Sequence, residues 1–277
     1  MVSATLQPDL RSLGRDLWAE IPLTGGDVTD GVVRAGDTVR RPARASTLTV
    51  HALLRHLAAE GFTAAPSALG FDERGREVLT YIPGEIVPRP LPAYALGEES
   101  LVALAEMVRR LHDTTATFVP ARDAVWERGS NDDAAPEIIG HCDITPENVI
   151  FRDRRPYALI DFDMARPTTR LFDIVTTLRH WAPFADPVDR DARQRSLDVA
   201  ARTRLFCDVY GVNRRERRRL VEVARLRFTR AYAEMRDRAT SQGGGWARLW
   251  AGGAGERIRR AAAWLDTHED EIQSALI

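Results

Sequence analysis

Hydrophobic positions in this chain change their period part-way along. In the first third they come in short runs. Residues 31–35 and 38–41 flank Gly36-Asp37, a two-residue turn in which glycine supplies left-handed backbone, so the pattern predicts a β-hairpin. From 47 to 61, Leu48, Leu54 and Leu57 recur at roughly helical spacing, and Gly61 ends the run. Residues 67–72 and 76–82 predict two further strands, separated by Glu73-Arg74-Gly75. Prolines then crowd 81–92, which suits an extended connector rather than a regular element.

Beyond the connector the helical period dominates. Leu101, Leu104, Met107, Val108 and Leu111 mark one face of a helix. A polar, irregular stretch (121–136) leads to two short strands at 148–151 and 157–160. Helices are predicted at 171–181, 192–210, 214–239 and 256–275. In the third, Leu220, Ala224, Phe228, Ala231 and Met235 form a core-facing stripe. The pattern therefore predicts an α+β chain with a small sheet-rich part (1–82) and a larger, mostly helical part (83–277).

Composition narrows the function classes. The formal net charge of −1 gives no bulk electrostatic case for nucleic acid or an anionic membrane as partner. The first residues lack a basic stretch followed by an apolar block, and no apolar run approaches the length of a membrane span. Cys142 and Cys207 are too few for a disulfide framework. The expectation is a cytoplasmic protein. The chain contains no lysine, so all 39 basic residues are arginine, and any phosphate-binding cation must be a guanidinium.

The block from Ile138 to Pro167 carries the chemistry. Phosphoryl transfer needs a carboxylate beside the attacking hydroxyl and oxygen ligands that hold magnesium against the phosphates. Asp143 and Asn148 stand five apart, and Asp161 follows thirteen residues later. If 148–151 and 157–160 pair around Asp153-Arg154, Asn148 falls nearly opposite Ile160. Asn148 and Asp161 are then cross-strand neighbours about 5 Å apart at their backbones. One amide and one carboxylate at that separation can share magnesium. Asp143, ahead of the first strand, sits beside the cation without ligating it.

These residues resemble the aminoglycoside phosphotransferase and choline kinase family, relatives of the protein kinases. His141-Cys142-Asp143 through Asn148, followed by Ile160-Asp161-Phe162-Asp163, is similar to that family's paired signature. The glycine-bearing hairpin at 24–41, the connector at 81–85 and Arg109-Arg110-Leu111-His112 fall in the expected order. The resemblance implies a two-lobed, protein-kinase-like fold, with an antiparallel-sheet N-lobe, a helical C-lobe and nucleotide between them. It implies Asp143 as catalytic base or hydroxyl-orienting carboxylate, and Asn148 and Asp161 as magnesium ligands. Gly25 and Gly26 would cover the nucleotide, and Tyr81 and Ile82 would line its site. His141 would hold the catalytic loop through bonds to backbone.

The family's third strand carries a phosphate-binding lysine. Alignment of Thr38-Val39-Arg40-Arg41-Pro42 puts Arg40 in its place, with Arg41 on the opposite face. The following helix should offer a glutamate to hold that cation, but Val50-His51 stands there, with no acid before Glu60. Asp163 is a candidate substrate contact, and Asp173 is expected to cap or pack a helix.

The resemblance implies transfer of the γ-phosphate of ATP or GTP, with magnesium, to a hydroxyl of a small molecule. An antibiotic such as an aminoglycoside or a basic peptide is the first acceptor class. A cationic acceptor needs acids, and Asp163, Asp186, Asp189, Asp191, Glu269, Asp270 and Glu271 are the candidates. Two alternatives stand beside it. One is a kinase of an amino alcohol or sugar. The other is a nucleotide-binding pseudokinase acting by sequestration or regulation, which the missing helix glutamate favours.

Overall fold

The computed structural model describes residues 19–23 and 31–277. Gly25 and Gly26 lie outside the described residues. The N-terminal part is a five-stranded antiparallel sheet ordered β1-β2-β3-β5-β4. Its strands are β1 (Glu20–Pro22), β2 (Val33–Ala35), β3 (Thr38–Arg41), β4 (Ala68–Phe71) and β5 (Glu77–Thr80). The hairpin expected at Gly36-Asp37 joins β2 to β3, with Gly36 at φ 59°. Central β3 pairs with β5 so that Val39 faces Leu79, Arg40 faces Val78 and Arg41 faces Glu77. Helix α1 (Thr47–Ala59) buries Val50, Leu53, Leu54 and Leu57.

The connector is tied down at both ends. The Tyr81 N–H donates to Asp37 O at 2.8 Å, and Glu85 exchanges two 2.8 Å backbone bonds with Phe151. Between them Gly84 lies so close to the strand below that a Cβ there would sit 2.6 Å from Phe151 O.

The helical part comprises α2 (Ala93–Leu96), α3 (Glu98–Thr115), α4 (Arg170–Trp181), α5 (Val199–Tyr210), α6 (Arg214–Ser241), α7 (Gly244–Ala251), α8 (Ala254–Thr267) and α9 (Glu269–Leu276). Asn213 and Glu216 form a reciprocal capping box that starts α6, satisfying two otherwise orphaned donors. Its stripe is buried as expected at Leu220, Ala224, Phe228 and Ala231. Two predicted helices are interrupted. The 192–210 run becomes a 3₁₀ turn at Ala192–Gln194 and a helix restarted by Asp198, which accepts from Ala201 N. The last run breaks at His268, the junction between α8 and α9. Side chains capping locally outcompete continuation of the helix at Asp198.

Four short strands sit between α3 and α4. β6 (Ile138–Gly140) pairs with β9 (Arg166–Thr168), and β7 (Val149–Arg152) pairs with β8 (Arg155–Leu159). The first pair was not legible, because three residues are too few for a period of two to register. One continuous core links α1 and β5 to β7, β8 and the helices, with Phe151, Phe172 and Trp181 fully buried within it.

Candidate active site

The β7–β8 hairpin has the expected register. Val149 faces Leu159, and Ile160 N–H donates to Asn148 O at 2.9 Å. Its turn places Asp153 and Arg154 at φ 50° and 61°, a primed turn that suits the twist of the strands. Asn148 closes a 3₁₀ turn just before β7, and Asp161 follows β8 in a left-handed conformation, φ 63°. Asn148 Nδ2 donates to Asp143 O at 2.9 Å and to Asp143 Oδ2 at 3.1 Å. That fixes which way the amide is turned and leaves its oxygen as the group available to a cation. Burial raises the Asp143 carboxyl above its ordinary range; His141 opposes the shift, and the Asp161 charge adds to it.

What holds this loop is Asp173, for which the sequence alone predicts only capping or packing of a helix. Thr169 performs the capping of α4 instead, accepting from Phe172 N. The fully buried Asp173 carboxylate accepts from His141 N at 2.9 Å, Cys142 N at 2.8 Å and His112 Nε2 at 3.0 Å. Burial alone would raise this carboxyl; the His112 hydrogen bond leads the contacts that hold it below its usual range. Cys142 stands at φ 61°, a conformation costly for a residue with a side chain and sustained here by its bond to Asp173. Gly140 makes room, since a Cβ there would lie 2.8 Å from Asp173 Oδ2. His141, as expected, bonds backbone: Nε2 donates to Ile160 O at 3.0 Å. Trp181 Nε1 adds a 2.9 Å bond to Ile144 O.

The strand cation requires a correction. Arg41, not Arg40, enters the cleft. Arg41 reaches Asp161 at 2.8 Å and Asp163 at 2.5 Å, and its Nε meets Glu77 at 2.5 Å. Arg40 turns to the other face, 3.8 Å from Asp72. The phase follows from alternation along β3. Val39 and Arg41 share a face, and they lie opposite the buried Leu79 and Glu77 of β5. Distance to Pro42 carried no such information. The acid sought on α1 is also found, one strand away. Glu77 is buried, bonded to Arg41 on one oxygen and to His51 Nε2 of α1 at 3.0 Å on the other. Burial lowers His51, so a neutral imidazole stands where a carboxylate was expected and donates to the relocated one.

Asp163, the candidate substrate contact, binds both Arg41 and Arg44 through its carboxylate, the latter at 3.2 Å. Other candidate acids are also engaged. Asp189 takes Arg260 through both oxygens, Asp191 caps a 3₁₀ turn and accepts from Leu91 N, and Glu269 binds Arg225. In the connector, Tyr81 has the Arg34 guanidinium 3.8 Å from its ring centroid, and Ile82 packs on the core. Among the described residues no three His, Cys, Asp or Glu side chains are grouped for a metal. A cation here would rest on few protein oxygens, as magnesium does when phosphates complete its shell.

The model of the phosphotransferase enzyme family named APH matches residues 119–206, the span that holds Asp143, Asn148, Asp161 and Asp173. The chain is 37% identical over 269 residues to the trifolitoxin immunity protein of Rhizobium leguminosarum bv. trifolii, covering 93% of this chain and 98% of that one. It belongs to the APH phosphotransferase family. Solved structures of that kind share its fold. A choline/ethanolamine kinase family protein from Mesorhizobium loti superposes with a TM-score of 0.58 at 16% identity, over 97% of this chain and 95% of the other. The gentamicin complex of APH(2″)-IIa gives 0.52 at 13% identity, over 99% and 100%. The fold is thus the two-lobed, kinase-like α+β architecture of the APH family. No helix among the described residues is long and apolar enough to cross a membrane.

Proposed function

We propose that this APH-family chain is a magnesium-dependent phosphotransferase that moves the γ-phosphate of ATP or GTP onto a hydroxyl of an antibiotic or toxin, inactivating it. The observation that carries the reading is the loop pinned by Asp173. It presents the Asp143 carboxylate beside Asn148 and Asp161, where a hydroxyl could be oriented next to a metal-bound phosphate. Asn148 and Asp161 would hold magnesium, whose chemistry is to neutralise charge on the phosphates. Arg41 would supply the cation at the nucleotide, positioned by Glu77. Among the described residues no hydrogen bond uses Tyr81 O or the Ile82 N–H, so the connector offers one acceptor and one donor to a base. The immunity function named for the relative supports an antibiotic or toxin acceptor over an amino alcohol or sugar.

The test is transfer of labelled γ-phosphate from ATP or GTP to a panel of aminoglycosides, peptide antibiotics and amino alcohols, with and without magnesium. Magnesium-dependent labelling of an antibiotic, lost in Asp143→Asn, is expected. Antibiotic binding without phosphate transfer would replace the enzyme by the sequestering pseudokinase.

A further inference from the structure

Several arginines of this chain clasp carboxylates, as Arg41, Arg76, Arg225 and Arg260 do. Two that meet where α4 packs on α6 do not. Arg179 of α4 and Arg227 of α6 form no ion pair among the described residues. Arg227 Nε donates to Thr176 Oγ1 at 3.2 Å, while its Nη1 is buried with no hydrogen-bond partner. The Arg179 guanidinium lies 5.8 Å from the Phe228 ring centroid, next in sequence to Arg227. Both sit where α4 packs on α6, and α4 is bonded to the catalytic loop through Asp173 and Trp181.

From these contacts we infer that Arg179 and Arg227 form an anion-binding subsite beside Asp143, and that the acceptor carries a carboxylate or comparable anionic group bound there. The inference rests on the phosphotransferase reading and adds the charge class of the substrate. A buried guanidinium donor without a partner is costly, and a bound oxyanion would satisfy it with the strongest class of hydrogen bond.

The surroundings agree. Burial and then the Arg227 charge pull Arg179 down, with Arg257 adding to them and Asp143 opposing. Burial and then Arg166 do the same to Arg227, against Glu234, Asp143 and Cys142. Glu234 is already engaged by Ser130 N and Arg238. His180 is driven well below its ordinary value by burial, Arg179, Arg227 and Arg89. The local field is that of two neighbouring cations, opposed chiefly by Asp143 and Glu234. The nucleotide is a second possible source of anionic oxygen, but its cation is Arg41, on the sheet.

Three probes on one skeleton separate the possibilities: glycerate (anion), glycerol (neutral) and 3-aminopropane-1,2-diol (cation). Each is titrated by ligand-observed NMR into full-length protein saturated with magnesium and a non-hydrolysable ATP analogue. Glycerate should bind at least about tenfold more tightly than the other two, and Arg179→Gln and Arg227→Gln should each weaken it about tenfold, the scale of one charged hydrogen bond. Equal or tighter binding of the aminodiol, no glycerate binding, or glycerate binding unchanged in both variants would overturn the subsite. So would a loss confined to ATP over ADP affinity, which would assign the arginines to the γ-phosphate. If Arg227→Gln fails to fold, Arg179→Gln, half-buried and making no hydrogen bond, carries the test alone. Nucleotide binding by wild type is measured in parallel. Its absence would refute the phosphotransferase reading, and the anion preference would still be decided by the probes.

Discussion

Arg41 and Glu77 face each other across β3 and β5, with Nε 2.5 Å from Oε2, and the same guanidinium continues to Asp161 and Asp163 on the far side of the cleft. One side chain therefore joins the sheet to the residue expected to hold magnesium. Arg41→Ala should lower kcat/KM for the nucleotide by about a hundredfold or more, in the range lost with a transition-state cation. Arg40→Ala, on the opposite face, should change it less than about twofold. Steady-state kinetics on the two variants decides between them. Damage from Arg40→Ala alone would reverse the assignment.

Glu77→Gln should destabilise as well as slow the enzyme. It removes the acid from a buried guanidinium and from His51 together, a loss of about 3 kcal/mol at the lower end of the range for breaking buried pairs, since Asp161 and Asp163 remain. Urea unfolding measures it. A loss within about 0.5 kcal/mol would mean that Glu77 does not hold the cation.

Asp143→Asn should reduce turnover by about a hundredfold, with nucleotide affinity nearly unchanged. Because burial raises Asp143, the acid limb of the wild-type pH–rate profile should lie above the ordinary carboxylate range and vanish in the variant. Stability runs the other way. A carboxyl raised by folding is protonated more readily in the folded state, so its unfavourable contribution is present at neutral pH and disappears as pH falls through its folded pKa. Asp143→Asn should therefore raise Tm at neutral pH. A lowered Tm would count against the assignment.

Asp173→Ala should cost both fold and function. It strips acceptors from His141 N, Cys142 N and His112 at once, a loss of about 3 kcal/mol or more, and it releases the left-handed Cys142. Turnover should fall even at temperatures where the variant is folded, as circular dichroism would verify. Normal turnover in folded variant would separate the anchor from catalysis.

How much was legible depended on whether the information was local. Asn148 and Asp161 could be set near each other because a hairpin of fixed register lies between them, so sequence spacing converts to distance. The strand cation could not be fixed from Pro42, yet Val39 held the answer. An apolar residue on the inward face puts its i+2 neighbour, Arg41, on that face too. Glu77 and Asp173 were hidden for another reason. Each acts on residues far away in sequence, Glu77 on Arg41 and His51 and Asp173 on His112 and the catalytic loop, and nothing near either one announces its partners. A polar residue inside an apolar strand, as Glu77 is in Glu77–Thr80, was the available signal. Arg179 and Arg227 carried none, since an arginine on a helix reads as a solvated surface charge until packing buries it.

In protein kinases the acid that pairs with the strand cation rides on a helix, and moving that helix turns the enzyme on or off. Here cation and acid are rungs of one antiparallel ladder, β3 to β5. The helix contributes a histidine that only braces the pair from behind. Swinging α1 outward would loosen the brace without separating Arg41 from Glu77. In that arrangement the position of α1 does not decide whether the cation meets its acid.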